Sequence, residues 1–231
     1  MKILVACEES QAVCKAFRNK GHEAYSCDIQ PCSGGHPEWH IMQDVIPLLD
    51  GRCNFKTMDG IEHLIDGKWD LIIAHPPCTY LSNAGARWLY AGGELNTERY
   101  RKGLDGKKFF MAMLNADCPR IAVENPIPSS IYDLPHYTQV IHPYQFGEPW
   151  SKKTCLWLKG LEPLQPTKIV EDYKPYCSSG SYSGTHDPKY NGASRKGGSA
   201  KSRSKTFQGI ANAMAEQWSG QQILRSLDKL N

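Results

Sequence analysis

Along the chain, short apolar runs alternate with stretches whose apolar residues recur at helical spacing. Lys2 to Ala6 reads as a first β-strand, and Ala12 to Asn19 follows with Ala12, Val13, Ala16 and Phe17 on one helical side. Gly21 ends that helix as a C′ residue would, and Glu23 to Cys27 gives a second strand closing on Asp28. Ile41 to Val45 continues the strand series, Met58 to Ile65 is expected to be helical, and Leu71 to Ala74 is a fully apolar run suited to a buried parallel strand. A helix is predicted over about Thr97 to Leu114, with Tyr100, Leu104, Phe109, Phe110, Met113 and Leu114 supplying its apolar side. Arg120 to Val123 and Lys153 to Lys159 are further strands, and Phe207 to Leu230 carries a long amphipathic helical pattern. Strands separated by helices predict an α/β fold around a largely parallel, Rossmann-like sheet.

Composition places limits on this picture. A chain of 231 residues can bury one full core. The pattern divides into a core over 1–160, a loop-rich insert over 161–205 and a C-terminal helix over 206–231 that packs back on the core. There is no internal repeat. No apolar run approaches membrane-spanning length, and the start MKILVACEE reads as a strand rather than a signal peptide. Nine scattered cysteines suggest no disulfide framework, so a reducing cytoplasmic compartment is expected. Net charge is only +3, but Lys189 to Lys205 holds six basic residues and no acid, among Gly, Ser, Tyr and Asn. Such a run is either a solvated loop or a grip on a polyanion. A monomer is favoured.

The candidate chemistry sits at strand ends. DLIIAHPPCTYLS (Asp70 to Ser82) is a buried strand stopped by Pro76-Pro77, with Cys78 directly after the stop. Ligands of open α/β sheets collect past the carboxyl ends of strands, which makes Cys78 a candidate nucleophile rather than a small buried hydrophobe. Glu124 closes the next strand, one strand–helix–strand crossover later, so topology alone directs both residues to one edge. A thiolate paired with a carboxyl group suits addition to C6 of a pyrimidine while the acid holds or protonates N3. Asp28 and Asp44 would stand at neighbouring tips, where a nucleotide-like cofactor has its ribose gripped, although Cys7-Glu8-Glu9-Ser10-Gln11 replaces a glycine-rich turn. Cys27, Cys32, His36 and His40 have a spacing that partly suits zinc ligation, but it matches no standard finger and no metal is assigned.

These motifs, in this order, resemble the DNA cytosine-5 methyltransferases, and small basic chains of this pattern resemble phage and prophage methylases. HPPC resembles the family's Pro-Cys motif with Cys78 as nucleophile, and IAVENP resembles its Glu-Asn-Val motif with Glu124 on N3. The resemblance implies S-adenosylmethionine as cofactor, held by Ala6, Cys7, Glu8 and Ser10 at the first turn, by Asp28 and Asp44, and by Pro76; Asn212 in FQGIANAMA matches the late Gly-Asn motif. It also implies DNA as partner. The insert occupies the place of the target-recognition region, and Lys153, Arg195, Lys196, Lys201, Arg203 and Lys205 would grip phosphates. The departures are specific. Trp150, Lys152 and Thr154 stand where Gln, Arg and Arg are expected, leaving Lys152 or Lys153 either to replace the lost catalytic charge, the role assigned to Lys152, or only to contact phosphate. His75 stands in place of a glycine, read either as a loop residue without chemistry or as a change in the pocket. Methylation of exocyclic amines would need Asp, Asn or Ser before Pro-Pro and an aromatic after it, and the chain has His75 and Cys78. The competing readings are a non-catalytic nucleic-acid binder of methyltransferase shape and C5 chemistry on RNA or a nucleotide.

Overall fold

The computed structural model describes residues 1–86, 88–176 and 205–220. The expected phosphate contacts Arg195, Lys196, Lys201 and Arg203 therefore lie outside the described residues, as does the chain beyond residue 220. Seven strands make the main sheet: β1 Lys2–Ala6, β2 Glu23–Asp28, β3 His40–Met42, β4 Leu71–Ala74, β5 Ile121–Asn125, β6 Gln139–Ile141 and β7 Thr154–Lys159. Their order is β3-β2-β1-β4-β5-β7-β6. β1 to β5 run parallel, and β7 inserts antiparallel between β5 and β6. This is a Rossmann-like sheet, the α/β class expected from the alternation of runs. Strand order reverses at β1, so the crevice past β1 and β4 is the topological switch point where such sheets take ligands.

Both faces of the sheet are covered, which is why β1 from Ile3 onward and the whole of β4 are apolar. Helix α1 (Ala12–Arg18) and helix α3 (Gln208–Trp218) pack on one face, where Val13, Phe17, Ile210, Met214 and Trp218 join Ile3, Val5, Leu71 and Ile73. Helix α2 (Thr97–Leu114) covers the other, its Phe110 and Met113 meeting Leu4, Ile72, Val123 and Trp157. Each of these large side chains contributes roughly 1.5–3 kcal/mol on burial.

Two expectations fail. Met58 to Ile65 is not helical: Cys53–Lys56 and Glu62–Ile65 form an antiparallel hairpin. Asp59-Gly60 makes the turn, with Gly60 at φ +88 and Asp59 Oδ1 accepting from Thr57 Oγ1 and Ile61 N, a local turn chemistry that outweighs the apolar spacing. The C-terminal helix stops at Trp218, followed by Ser219 and by Gly220 at φ +142. The first part of the expected insert, up to residue 176, runs along the core. Leu164 is buried and exchanges two hydrogen bonds with the Gln139 amide, and Lys174–Pro175 pairs with Trp150–Ser151.

Helix α3 approaches the chain before β7 so closely that a Cβ on Gly209 would lie 1.9 Å from the Phe146 carbonyl oxygen. Gly209→Ala must therefore displace α3, and thermal denaturation should show a loss of about 1–3 kcal/mol. An unchanged Tm would mean that α3 is not seated there.

Candidate active site

The site is built from the tips of β1, β4 and β5. Register places Ala6 beside Ala74 and Ala74 beside Val123, so the next residues outward, Cys7, His75 and Glu124, emerge as neighbours. The His75 amide donates to the Ala6 carbonyl at 2.9 Å and fixes the first step past β4. Pro76 and Pro77 then turn the chain, and buried Asn125 donates its Nδ2 to the Pro76 carbonyl at 2.9 Å. Beyond Cys78 the chain is tied to the loop after Glu124: Ser129 N donates to Leu81 O at 2.7 Å and Asn83 N to Ile127 O at 3.0 Å. Arg99 at the start of α2 holds the same loop through the Thr79 and Gly85 carbonyls. Cys78 is thus carried between fixed points. An open groove of about 560 Å³ lined by Tyr80, Trp88, Asn96 and Arg99 adjoins this loop but includes neither Cys78 nor Glu124.

Charges alternate through the interior at this edge. Glu8, 4% exposed, accepts from the first amides of α1, Val13 N at 2.6 Å and Cys14 N at 3.1 Å. His75 is next, its Nδ1 3.2 Å from Glu124 Oε2, with the side chains 8% and 18% exposed. Lys152 acts on Glu124, His75 and Cys78 from the side of β7, and its ammonium lies 5.8 Å from the Tyr176 ring and 5.9 Å from Phe207. Burial alone would neutralise His75, yet the hydrogen bond and charge of Glu124, with the charge of Glu8, hold its pKa above the ordinary value. Burial likewise favours protonated Glu124, but His75 and Lys152 keep its carboxyl below the usual range. Burial first, and Glu124 second, push the Cys78 thiol up, while Lys152 draws it down.

The expected cofactor residues divide into two groups. Asp28 and Asp44 converge, since burial and then the charges of both raise the thiol of Cys7, which stands between Ala6 and Glu8. Asp28 Oδ1 accepts from Gln30 N and Asp44 Oδ1 from Ile46 N, so each carboxylate is held by its own loop. Beside them Ile29 is 77% and Ile46 40% exposed. Carboxylates at two strand tips, with exposed apolar side chains adjacent in sequence, could hold a cofactor that carries a ribose diol and a flat base. Ser10 and Pro76 lie on the same edge. Glu8 instead turns inward to α1, and Asn212 lies on the exposed side of α3, its Oδ1 accepting from Gln208.

The missing glycines have a structural counterpart. Cys7 and Gln11 adopt φ +59, a left-handed conformation that costs a non-glycine residue about 1–2 kcal/mol. Gln11 offsets this by bonding to Ser26 Oγ, the His36 carbonyl and the His36 amide. The glycine appears in the facing loop instead: a Cβ on Gly34 would lie 2.6 Å from Ser10 O. The four residues of the zinc-like spacing are otherwise engaged or apart, with His40 bonded to Ser26 and the Gln30 carbonyl and His36 stacked on Trp39. Among the described residues no group of three metal-binding side chains occurs.

Lys153 and Lys205 are exposed, Lys205 donating to Ser33 Oγ at 3.1 Å. A narrow crevice bordered by Glu124, Lys152, Thr154, Lys205 and Phe207 leads in from that side. His75 is the residue that motif order alone undervalues. A histidine directly after a buried apolar strand, one crossover from a glutamate, is the signal that points to it.

No family model matches the chain, and no curated protein matches it. Among solved structures it is similar to a candidate DNA modification methyltransferase encoded within an E. coli prophage, at 13% identity and a TM-score of 0.40, over 73% of this chain and 51% of that one. The chain thus spans about half the length of that structure. Among the described residues no helix is long and apolar enough to cross a membrane.

The opposed effects of Glu124 and Lys152 on Cys78 are separable. Glu124→Gln should speed alkylation of Cys78 by iodoacetamide at about pH 8, and Lys152→Met should slow it, because each removes one influence on the thiolate fraction. Peptide mass spectrometry resolves Cys78 from the other cysteines, and equal rates in all three proteins would contradict this electrostatic arrangement.

Proposed function

We propose that the protein transfers a methyl group from S-adenosylmethionine to C5 of cytosine in DNA. The observation that carries this reading is the meeting of a cysteine and a glutamate at adjacent parallel strand tips, beside a lysine and next to an edge that fits the cofactor. Cys78 attacks C6 as the thiolate, whose formation Lys152 favours. Glu124 holds N3 and the 4-amino group, so that the electron pair displaced from the ring is taken up at N3. The cofactor supplies an electrophilic methyl group to the C5 that this addition makes nucleophilic. Asp28 and Asp44 bind its ribose and base, and Pro76-Pro77 set the turn that presents Cys78. A cytosine within a duplex is out of reach of this edge, so the base is flipped. Lys205, at the border of the crevice to Glu124, and exposed Lys153 contact phosphate, together with Arg195, Lys196, Lys201 and Arg203 of the basic run.

The test uses duplex DNA containing 5-fluorocytosine with S-adenosylmethionine, in which the fluorine at C5 blocks release of the enzyme. A covalent adduct that disappears in Cys78→Ser is the expected result, accompanied by a cofactor-dependent rise in Tm of the free protein. No adduct on any duplex, together with no Tm shift, would remove the enzymatic reading.

A further inference from the structure

His75 touches the candidate acid but lacks any role in the scheme above. It has three properties that a mere loop residue does not require. Its Nδ1 is 3.2 Å from Glu124 Oε2, in a setting where both side chains are largely withdrawn from water. Its Nε2 is buried and has no hydrogen-bond partner among the described residues. A second buried acid, Glu8, is fixed to the α1 amides and acts electrostatically on the same imidazole.

We infer that His75 stores the proton that Glu124 delivers to cytosine N3, so that the two residues act as one acid. This rests on the C5 reading proposed above. Glu124 bonded to an arginine could not draw a proton from it, because guanidinium does not deprotonate in proteins. Here the position of the second family arginine is Thr154, and the partner of Glu124 is an imidazole, which can give its proton up. At rest the proton lies on His75 Nδ1, shared with Glu124 Oε2. The Cys78 thiol proton leaves to water. As the sulfur lone pair forms the S–C6 bond, the C5–C6 π pair shifts to C4–C5 and the C4–N3 π pair moves onto N3. The stored proton passes from His75 Nδ1 to Glu124 and from Glu124 to N3, so that Glu124 ends as the carboxylate it was at rest. The imidazole is left neutral with its hydrogen on Nε2. The groups facing this proton are Glu8 from the turn after β1, Glu124 from β5, and Lys152 from the side of β7, the last opposing the two acids.

The direction of the pH effect follows. Glu124 and Glu8 raise the His75 pKa, so the stored proton is fully present below the ordinary imidazole range and is lost as pH rises through the folded value. Adduct formation by the wild type should therefore fall on the alkaline side. His75→Gln keeps a donor for Glu124 but has no proton to give. It should retain DNA and cofactor affinity, form the 5-fluorocytosine adduct roughly 10²–10⁴-fold more slowly, and lose the alkaline fall. A His75→Gln protein with the wild-type rate and the same alkaline fall would overturn the inference. Imidazole nitrogen NMR of the free wild type reads the store without any reaction. Both His75 nitrogens should be protonated at about pH 7, with titration moved to lower pH in Glu124→Gln. A neutral His75 at that pH would equally overturn it. If the wild type forms no adduct, the C5 reading falls, and the NMR result still decides the proton store.

Discussion

Two ionised groups buried side by side are tolerated only when each supplies the counter-charge the other lacks, and the His75–Glu124 pair meets that condition at 3.2 Å. The surroundings extend the same arrangement. The N-terminus of α1 faces Glu8, Glu8 faces His75, His75 faces Glu124, and Lys152 closes the series. His75 and Glu124 are each other's counter-charge, so removing either leaves an uncompensated charge in a low-dielectric interior, while burial pushes the Glu8 carboxyl up against the opposing pull of His75 and the α1 amides. The tips of β1, β4 and β5 are bound to one another by this electrostatic order as well as by their hydrogen-bonded ladder.

That order has a chemical consequence for Cys78. A thiol raised by burial and by a nearby carboxylate is inert at rest, and a lysine acting in the opposite sense keeps it within reach of ionisation. Substrate that engages Glu124 would weaken the influence suppressing the thiolate. Under the proposed function, the thiolate would thus be released where its target is already held. The loops support this precision: residues 79–86 are anchored to α2 by Arg99 and to the segment after β5 by backbone bonds.

At the proposed cofactor edge the turn after β1 is built without glycine. Gln11 and Cys7 accept left-handed conformations that glycine would adopt without cost, and Gln11 uses its amide to bind the facing loop. Gly34 supplies the close approach from the opposite side. The requirement for a bare backbone at the crossing has moved from the turn to the loop that covers it.

The apolar runs are enough to determine β1, β2, β4 and β5 and the span of α2, because a strand buried on both faces admits few polar residues, whereas the short edge strand His40–Met42 is displaced from the expected Ile41 to Val45. The order of Cys78 and Glu124 along one crossover also determines that they share an edge, a matter of topology alone. The hairpin at residues 53–65 escapes a reading of periodicity because its Asp-Gly turn chemistry competes with an apolar spacing that suits either state. Only the tertiary structure decided the partners: that Glu8 turns inward to α1, that Asn212 lies outward on α3, and that His75 reaches Glu124. Side-chain direction at a strand tip depends on the register of neighbouring strands and on burial, and neither is written in the local pattern of any one segment.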